Sequence, residues 1–168
     1  KSGSWAGLID GGPSRSEGAI ASALGTLGVS RLDAVVVTHP DADHTGGLSG
    51  VARDYSPRQA YVGAGAGSAA SALRSAGARI VKVRRGQTLR LGRLKAKVLS
   101  PGSLSGDANK DSVVLLLEAG GRRFLFTGDC TGPNEALVGS ICARGPPLYV
   151  LKVAHHGSRY STSSAFLA

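Results

Sequence analysis

Short apolar runs recur along the chain, and most of them end in a cluster of glycine, proline or polar residues. Ala34-Val35-Val36-Val37 is apolar at every position, which predicts a strand buried on both faces. Trp5 to Ile9 and Ala60–Val62 read as strands too. Helical stretches follow all three. Ser14-Arg15-Ser16-Glu17 has the form of a capping box and predicts a helix to about Leu27, stopped by Gly28. Gly46-Gly47-Leu48 opens a short helix to Asp54, and Ser68 to Ala76 forms another, closed by Gly77.

The pattern changes in the middle of the chain. From Ala78 to Leu99, apolar and basic residues alternate, which predicts half-buried antiparallel strands with a basic outer face. Ser112–Glu118 and Arg122–Thr127 make a hairpin around Ala119-Gly120-Gly121. Pro133 opens a helix to about Ile141, and Leu148–Ala154 is a last strand. The remaining residues to Ala168 are expected to be too few for another element. Together these elements predict one α/β domain over residues 1–168.

Composition narrows this picture. With 168 residues, 42% of them hydrophobic, the chain can bury a sizeable core. No run approaches the roughly 18 apolar residues of a membrane span, and no signal peptide is visible. There is no methionine, even at position 1, so we read the chain as a piece excised from a larger protein. The glycine run Gly63-Ala64-Gly65-Ala66-Gly67 lacks the Lys-Ser/Thr ending of a phosphate loop. Cys130 and Cys142 are too far apart for a thiolate zinc site and leave a disulfide open.

Charge points to a partner. Twenty basic residues face 11 acidic ones, for a net charge of +9. That favours a polyanion, nucleic acid or an anionic cell surface, although an arginine-rich genome would give the same excess. Arg79, Lys82, Arg84, Arg85, Arg90, Arg93, Lys95 and Lys97 follow one another without an acid. They are either a charged edge that prevents aggregation or a track for a phosphate backbone. No aromatic residue interleaves them, so stacking on single-stranded bases is not indicated.

Candidate chemistry sits at the strand ends. Asp10 follows the first strand, and His39-Pro40-Asp41-Ala42-Asp43-His44 follows the second. Asp129 follows the hairpin, and His155-His156 the last strand. Pro40 stops its strand, so the four side chains around it lie on a tight loop. Taken singly, an Asp after Gly is a turn residue and a lone His belongs to a core. Taken together, imidazoles and carboxylates on strand ends along one rim would surround two metal ions, with Asp129 suited to bridge them.

His39-x-Asp41-x-Asp43-His44, Thr127-Gly128-Asp129 and His155-His156-Gly157-Ser158 resemble the motifs of the metallo-β-lactamase superfamily. Its usual signature is His-x-His-x-Asp-His, and Asp41 stands where the second histidine would be. The His-Pro-Asp-x-Asp-His form, with Leu8-Ile9-Asp10-Gly11-Gly12-Pro13 and Leu151-Lys152-Val153-Ala154 before the paired histidines, is similar to the ComEC-like domains of DNA-internalisation competence proteins. The resemblance covers nearly the whole chain. It implies an αββα sandwich with a dinuclear site on one rim, here without the first strands and the last helix.

The resemblance also implies roles. His39 and Asp41 would bind one ion; Asp43, His44 and a histidine of the 155–156 pair would bind the other. We favour His155 as that ligand, with His156 facing substrate or backing the site. Asp129 would bridge, Asp43, Asp129 and His156 would act in catalysis, and Asp10 would orient the ligands. An isolated histidine of the family is replaced by Asn109-Lys110-Asp111-Ser112, in which Asn109 or Asp111 is a candidate oxygen donor. Such an oxygen-rich set leans towards Mn²⁺, with Mg²⁺ or Zn²⁺ as alternatives. Lys110, Lys152, Ser158 and Arg159 would hold phosphates.

The implied function is a metal-dependent nuclease that degrades the DNA strand not imported during transformation. The domain would lie outside the cell, joined to a membrane channel of the same polypeptide and working with other competence proteins. A phosphorylcholine-type esterase, a thioester hydrolase and a non-catalytic DNA-guiding module are the alternatives.

Overall fold

The computed structural model describes residues 1–167, which divide into two compact units, Lys1–Lys82 and Val83 onwards. In the first unit, β1 (Gly7–Ile9), β2 (Ala34–Val37), β3 (Gln59–Val62) and β4 (Arg79–Lys82) form a sheet in that order, every pair parallel. Helices α1 (Glu17–Thr26), α3 (Leu48–Tyr55) and α4 (Gly67–Ser75) lie in the crossovers. Successive parallel strands joined by crossovers of one hand place their helices on one face. Leu24 of α1, Leu48 and Val51 of α3 and Leu73 of α4 accordingly share one core with Val35, Val37, Ala60 and Val62.

The helix starting at Ser14 does not form as a capping box. Ser14–Ser16 is a turn of 3₁₀ helix, and α1 begins at Glu17 with no side-chain cap. The Glu17 carboxylate turns instead towards α3, 3.5 Å from Arg53. A second revision concerns residues 78–99. Arg79–Lys82 is a parallel edge strand of the first sheet, so the alternating segment divides between two sheets instead of forming one antiparallel block.

The second unit holds β5 (Thr88–Leu91), β6 (Leu94–Ser100), β7 (Val114–Ala119) and β8 (Arg122–Phe126), antiparallel throughout, and β9 (Val150–Lys152), parallel to β8. Gly120 and Gly121, both at positive φ, close the β7–β8 hairpin as a two-residue turn of that kind requires. The crossover to β9 carries α5 (Pro133–Cys142), whose Val138 packs with Leu99, Val114, Leu116 and Leu125. The last strand is shorter than the expected 148–154, and a further short helix, α6 (Ser164–Leu167), does form. Among the described residues no helix is long and apolar enough to cross a membrane.

Candidate metal centre

Parallel pairing brings the first donor set together. Because Ile9 is in register with Val36, the residues just after β1 and β2 leave the same end of the sheet. Asp10, at a φ of 58°, turns its carboxylate back over that end. One oxygen accepts the Thr38 N–H at 2.8 Å; the other accepts the Thr38 hydroxyl and His44 Nδ1, each at 2.7 Å. The Thr38 hydroxyl lies 3.0 Å from His39 Nδ1. Since that hydroxyl spends its proton on Asp10, it accepts from His39, whose Nδ1 therefore carries the hydrogen. Both imidazoles thus donate through Nδ1, which turns Nε2 of each ring away from Asp10 and Thr38.

The rings of His39 and His44 lie 4.1 Å apart, and both residues are buried. Asp41 is the residue before a single helical turn, α2 (Ala42–Thr45), which carries Asp43 and His44. The stretch after Pro40 is thus a helical turn where a loop was expected. An Asp41 carboxylate oxygen lies 3.7 Å from His39 Nε2, on the side of the ring where a ligand would be held. Asp43 is exposed beside it.

The second donor set arises in the same way. β8 and β9 run parallel, with Phe126 beside Lys152, so Asp129 and the paired histidines leave one end of that sheet. Thr127 Oγ1 donates to the Lys152 carbonyl at 2.6 Å, and His155 N–H to the Gly128 carbonyl at 3.3 Å, tying the two exits together. Ser112, ahead of β7, accepts the Asp129 N–H on its hydroxyl at 3.1 Å. Asp129 is buried, with Lys152 Nζ at 3.9 Å and His156 Nε2 at 3.3 Å from its carboxylate. Of the paired histidines it is His156 whose ring lies beside Asp129, while His155 Nδ1 is buried with no hydrogen-bond partner.

The remaining predicted residues fall around this set. Asn109 keeps its side-chain oxygen buried without a hydrogen bond, and Lys110 pairs with Asp107 at 3.2 Å. Asp111 is a loop clamp whose carboxylate accepts the N–H groups of Ser105 and Gly106 and the Ser105 hydroxyl. Those bonds occupy both of its oxygens. Ser158 donates its N–H to the His155 carbonyl at 2.8 Å and so shapes the turn. Cys130 and Cys142 are both free thiols. Burial, reinforced by Glu135, pushes the Cys130 thiol up to about 12, so it is a protonated core residue and not a thiolate ligand.

These donors fit divalent cations. Two imidazoles held through Nδ1 have what metal-binding histidines need from their surroundings. The orphaned His155 Nδ1 and Asn109 Oδ1 belong to residues expected at the metal, and a buried polar atom without a partner calls for a ligand. Thr38 is the functional residue that sequence reasoning missed. Its position between a buried strand and His39 was the available signal.

A model of the metallo-β-lactamase superfamily matches residues 3–168. The chain belongs to that superfamily. Competence protein ComA of Neisseria gonorrhoeae is 36% identical over 152 residues, covering 88% of this chain and 20% of that protein. ComE operon protein 3 of Bacillus subtilis (strain 168) is 32% identical over 151 residues, covering 86% and 19%. Recombination protein 2 of Haemophilus influenzae is 28% identical over 144 residues, covering 82% and 16%. The chain spans about a fifth of their length or less.

Among solved metallo-β-lactamase folds, the subclass B3 enzyme MEM-A1 from a soil metagenome library matches with a TM-score of 0.63 at 16% identity, over 89% of this chain and 69% of that one. YhfI of Bacillus subtilis matches with a TM-score of 0.63 at 15% identity, over 90% and 60%. Identities this low speak for the fold alone, and that is the fold class the motifs implied. Members of the superfamily are usually hydrolases that use divalent ions, most often zinc or iron.

Proposed function

We propose that this is the metal-dependent nuclease domain of a DNA-uptake protein, hydrolysing phosphodiesters of the strand that is not imported. The observation that carries the reading is the Asp41 oxygen beside His39 Nε2. It puts a hard donor where the superfamily's signature has a nitrogen, in a chain similar to competence protein ComA. A carboxylate-rich set suits Mn²⁺ or Mg²⁺ and phosphoryl oxygens better than the softer chemistry of lactam or thioester cleavage.

On this reading both donor sets serve one dinuclear centre. His39 and Asp41 would hold one ion, and Asp43, His44 and one of His155 and His156 the other, with Asp129 a further carboxylate donor. Divalent ions supply Lewis acidity, making water nucleophilic near neutral pH and neutralising charge on the phosphoryl group. The chain's own residues do the rest. Asp10 and Thr38 hold the Nδ1 side of both rings and so aim the ligand nitrogens. Ser112 fixes the backbone of Asp129, and Lys152 adds positive charge beside it. His156, with Nε2 3.3 Å from the Asp129 carboxylate, would serve as the proton donor to the departing oxygen where His155 is the ligand. Lys110, Ser158 and Arg159 are placed in the sequence to hold phosphates. Arg90, Lys95 and Lys97, exposed on one face of β5 and β6, suit a polymer and not a small molecule.

The test is hydrolysis of labelled single- and double-stranded DNA by the purified domain with Mn²⁺, Mg²⁺ or Zn²⁺. Cleavage is expected to be strongest with Mn²⁺ and to fall at least about a thousandfold in Asp129→Ala. Turnover of nitrophenyl phosphodiesters with DNA untouched would overturn the substrate assignment.

A further inference from the structure

The segment after β9 holds three non-glycine residues in the left-handed region: His155 at φ 49°, His156 at 52° and Thr162 at 53°. Each such residue is strained by its Cβ, and a β-branched residue like Thr162 is rarer there than most. Strain of this kind persists only where the surroundings over-determine it. For Thr162 they do. Its N–H donates to Glu135 Oε2 at 2.5 Å, and its hydroxyl accepts the Ala154 N–H at 3.2 Å. Ser161 Oγ donates to the Ala154 carbonyl at 2.9 Å. Both polar groups of the Ala154 backbone, one residue before the paired histidines, are thus gripped by residues 161 and 162.

Glu135, on α5, secures the grip from behind. Besides Thr162 it accepts the N–H of Ser163 at 3.0 Å and the Ser163 hydroxyl at 2.7 Å. It is 7% exposed, and its carboxylate accepts its hydrogen bonds from the 162–163 segment. A buried carboxylate satisfied by N–H and O–H donors of one strained segment clamps that segment.

We propose that Glu135 is a positioning residue for the paired histidines. Acting through Thr162 and Ser161, it holds Ala154 so that His155 and His156 stay in their left-handed conformation, with the His156 ring against Asp129. The inference rests on the metal-centre reading above, since it concerns how the last ligand is presented. It assigns Glu135 no contact with metal or substrate.

Mn²⁺ binding, read by loss of the free-ion paramagnetic resonance signal, tests this without any turnover. Glu135→Ala is expected to weaken Mn²⁺ binding about 10–100-fold, the usual cost of losing a residue that orients ligands. The DNA KM should be unchanged while kcat falls. Should Glu135→Ala fail to fold, Thr162→Val, which removes only the hydroxyl to Ala154, is expected to weaken Mn²⁺ in the same direction, and Thr162→Ser to restore it. Wild-type affinity in folded Glu135→Ala and Thr162→Val, alongside lost binding in Asp129→Ala, would overturn the brace and leave the centre standing. Unchanged binding in Asp129→Ala would overturn the centre itself.

Discussion

His44 is held at Nδ1 by Asp10, and through Thr38 the same carboxylate holds His39. One residue in a strained conformation thus prepares two imidazoles. Asp10→Asn keeps the shape but replaces one carboxylate oxygen with an N–H₂ group. That group must face either the Thr38 N–H or the donors now served by the other oxygen, and either placement sets donor against donor. The expected outcome is a 10–100-fold loss of Mn²⁺ affinity, checked by titration calorimetry, with the melting temperature still that of a folded protein. Asp10 was legible in the sequence because it ends an apolar run next to a glycine turn. Thr38 had only its place between a buried strand and His39 as a signal, because its bonds to Asp10 depend on the register of β1 with β2.

Among the elements, the short helices after β2 are held by a close backbone approach. The Gly11 N–H donates to the His44 carbonyl at 2.7 Å, and the Gly47 N–H to the Gly12 carbonyl at 3.0 Å. A Cβ on Gly47 would stand 2.2 Å from the Gly11 carbonyl oxygen, a backbone atom that no rotamer change can move aside. Gly47→Ala should therefore cost about 2 kcal/mol or more in urea unfolding, well beyond an ordinary surface substitution. The strands and most helices were readable because buried runs and glycine stops are local signals. The capping box misled because Glu17 found a cation on α3, a tertiary contact. The strand at Arg79–Lys82 misled because alternation marks half-burial but not the direction of the neighbouring strand.

At the scale of the whole molecule, the excess of positive charge becomes a surface with a pattern. Arg90 lies directly opposite Lys95 across β5 and β6, so two cations stand side by side on this face. Lys97 has Glu118 at 3.5 Å. The apolar residues Leu89, Leu91 and Ala96 are buried on the other side of β5 and β6, and Arg90, Lys95 and Lys97 are exposed. Replacing Arg90, Lys95 and Lys97 by Ala should lower the slope of log affinity for duplex DNA against log salt by about 2–3, at roughly 0.9 per phosphate contact. Fluorescence anisotropy with the Asp129→Ala protein measures it, and an unchanged slope would remove this face from the DNA path.

Each sheet is woven from one unbroken stretch of sequence, with the divide at Lys82–Val83. This gives synthesis an order. The all-parallel sheet, with Asp10 and the His39–His44 turn at its end, is complete before the first antiparallel strand leaves the ribosome. At typical rates of about 5–20 residues per second, several seconds pass before Asp129 and the paired histidines follow. A nascent chain therefore presents the His39–His44 turn first, and Asp129 and the strained turn after β9 only later.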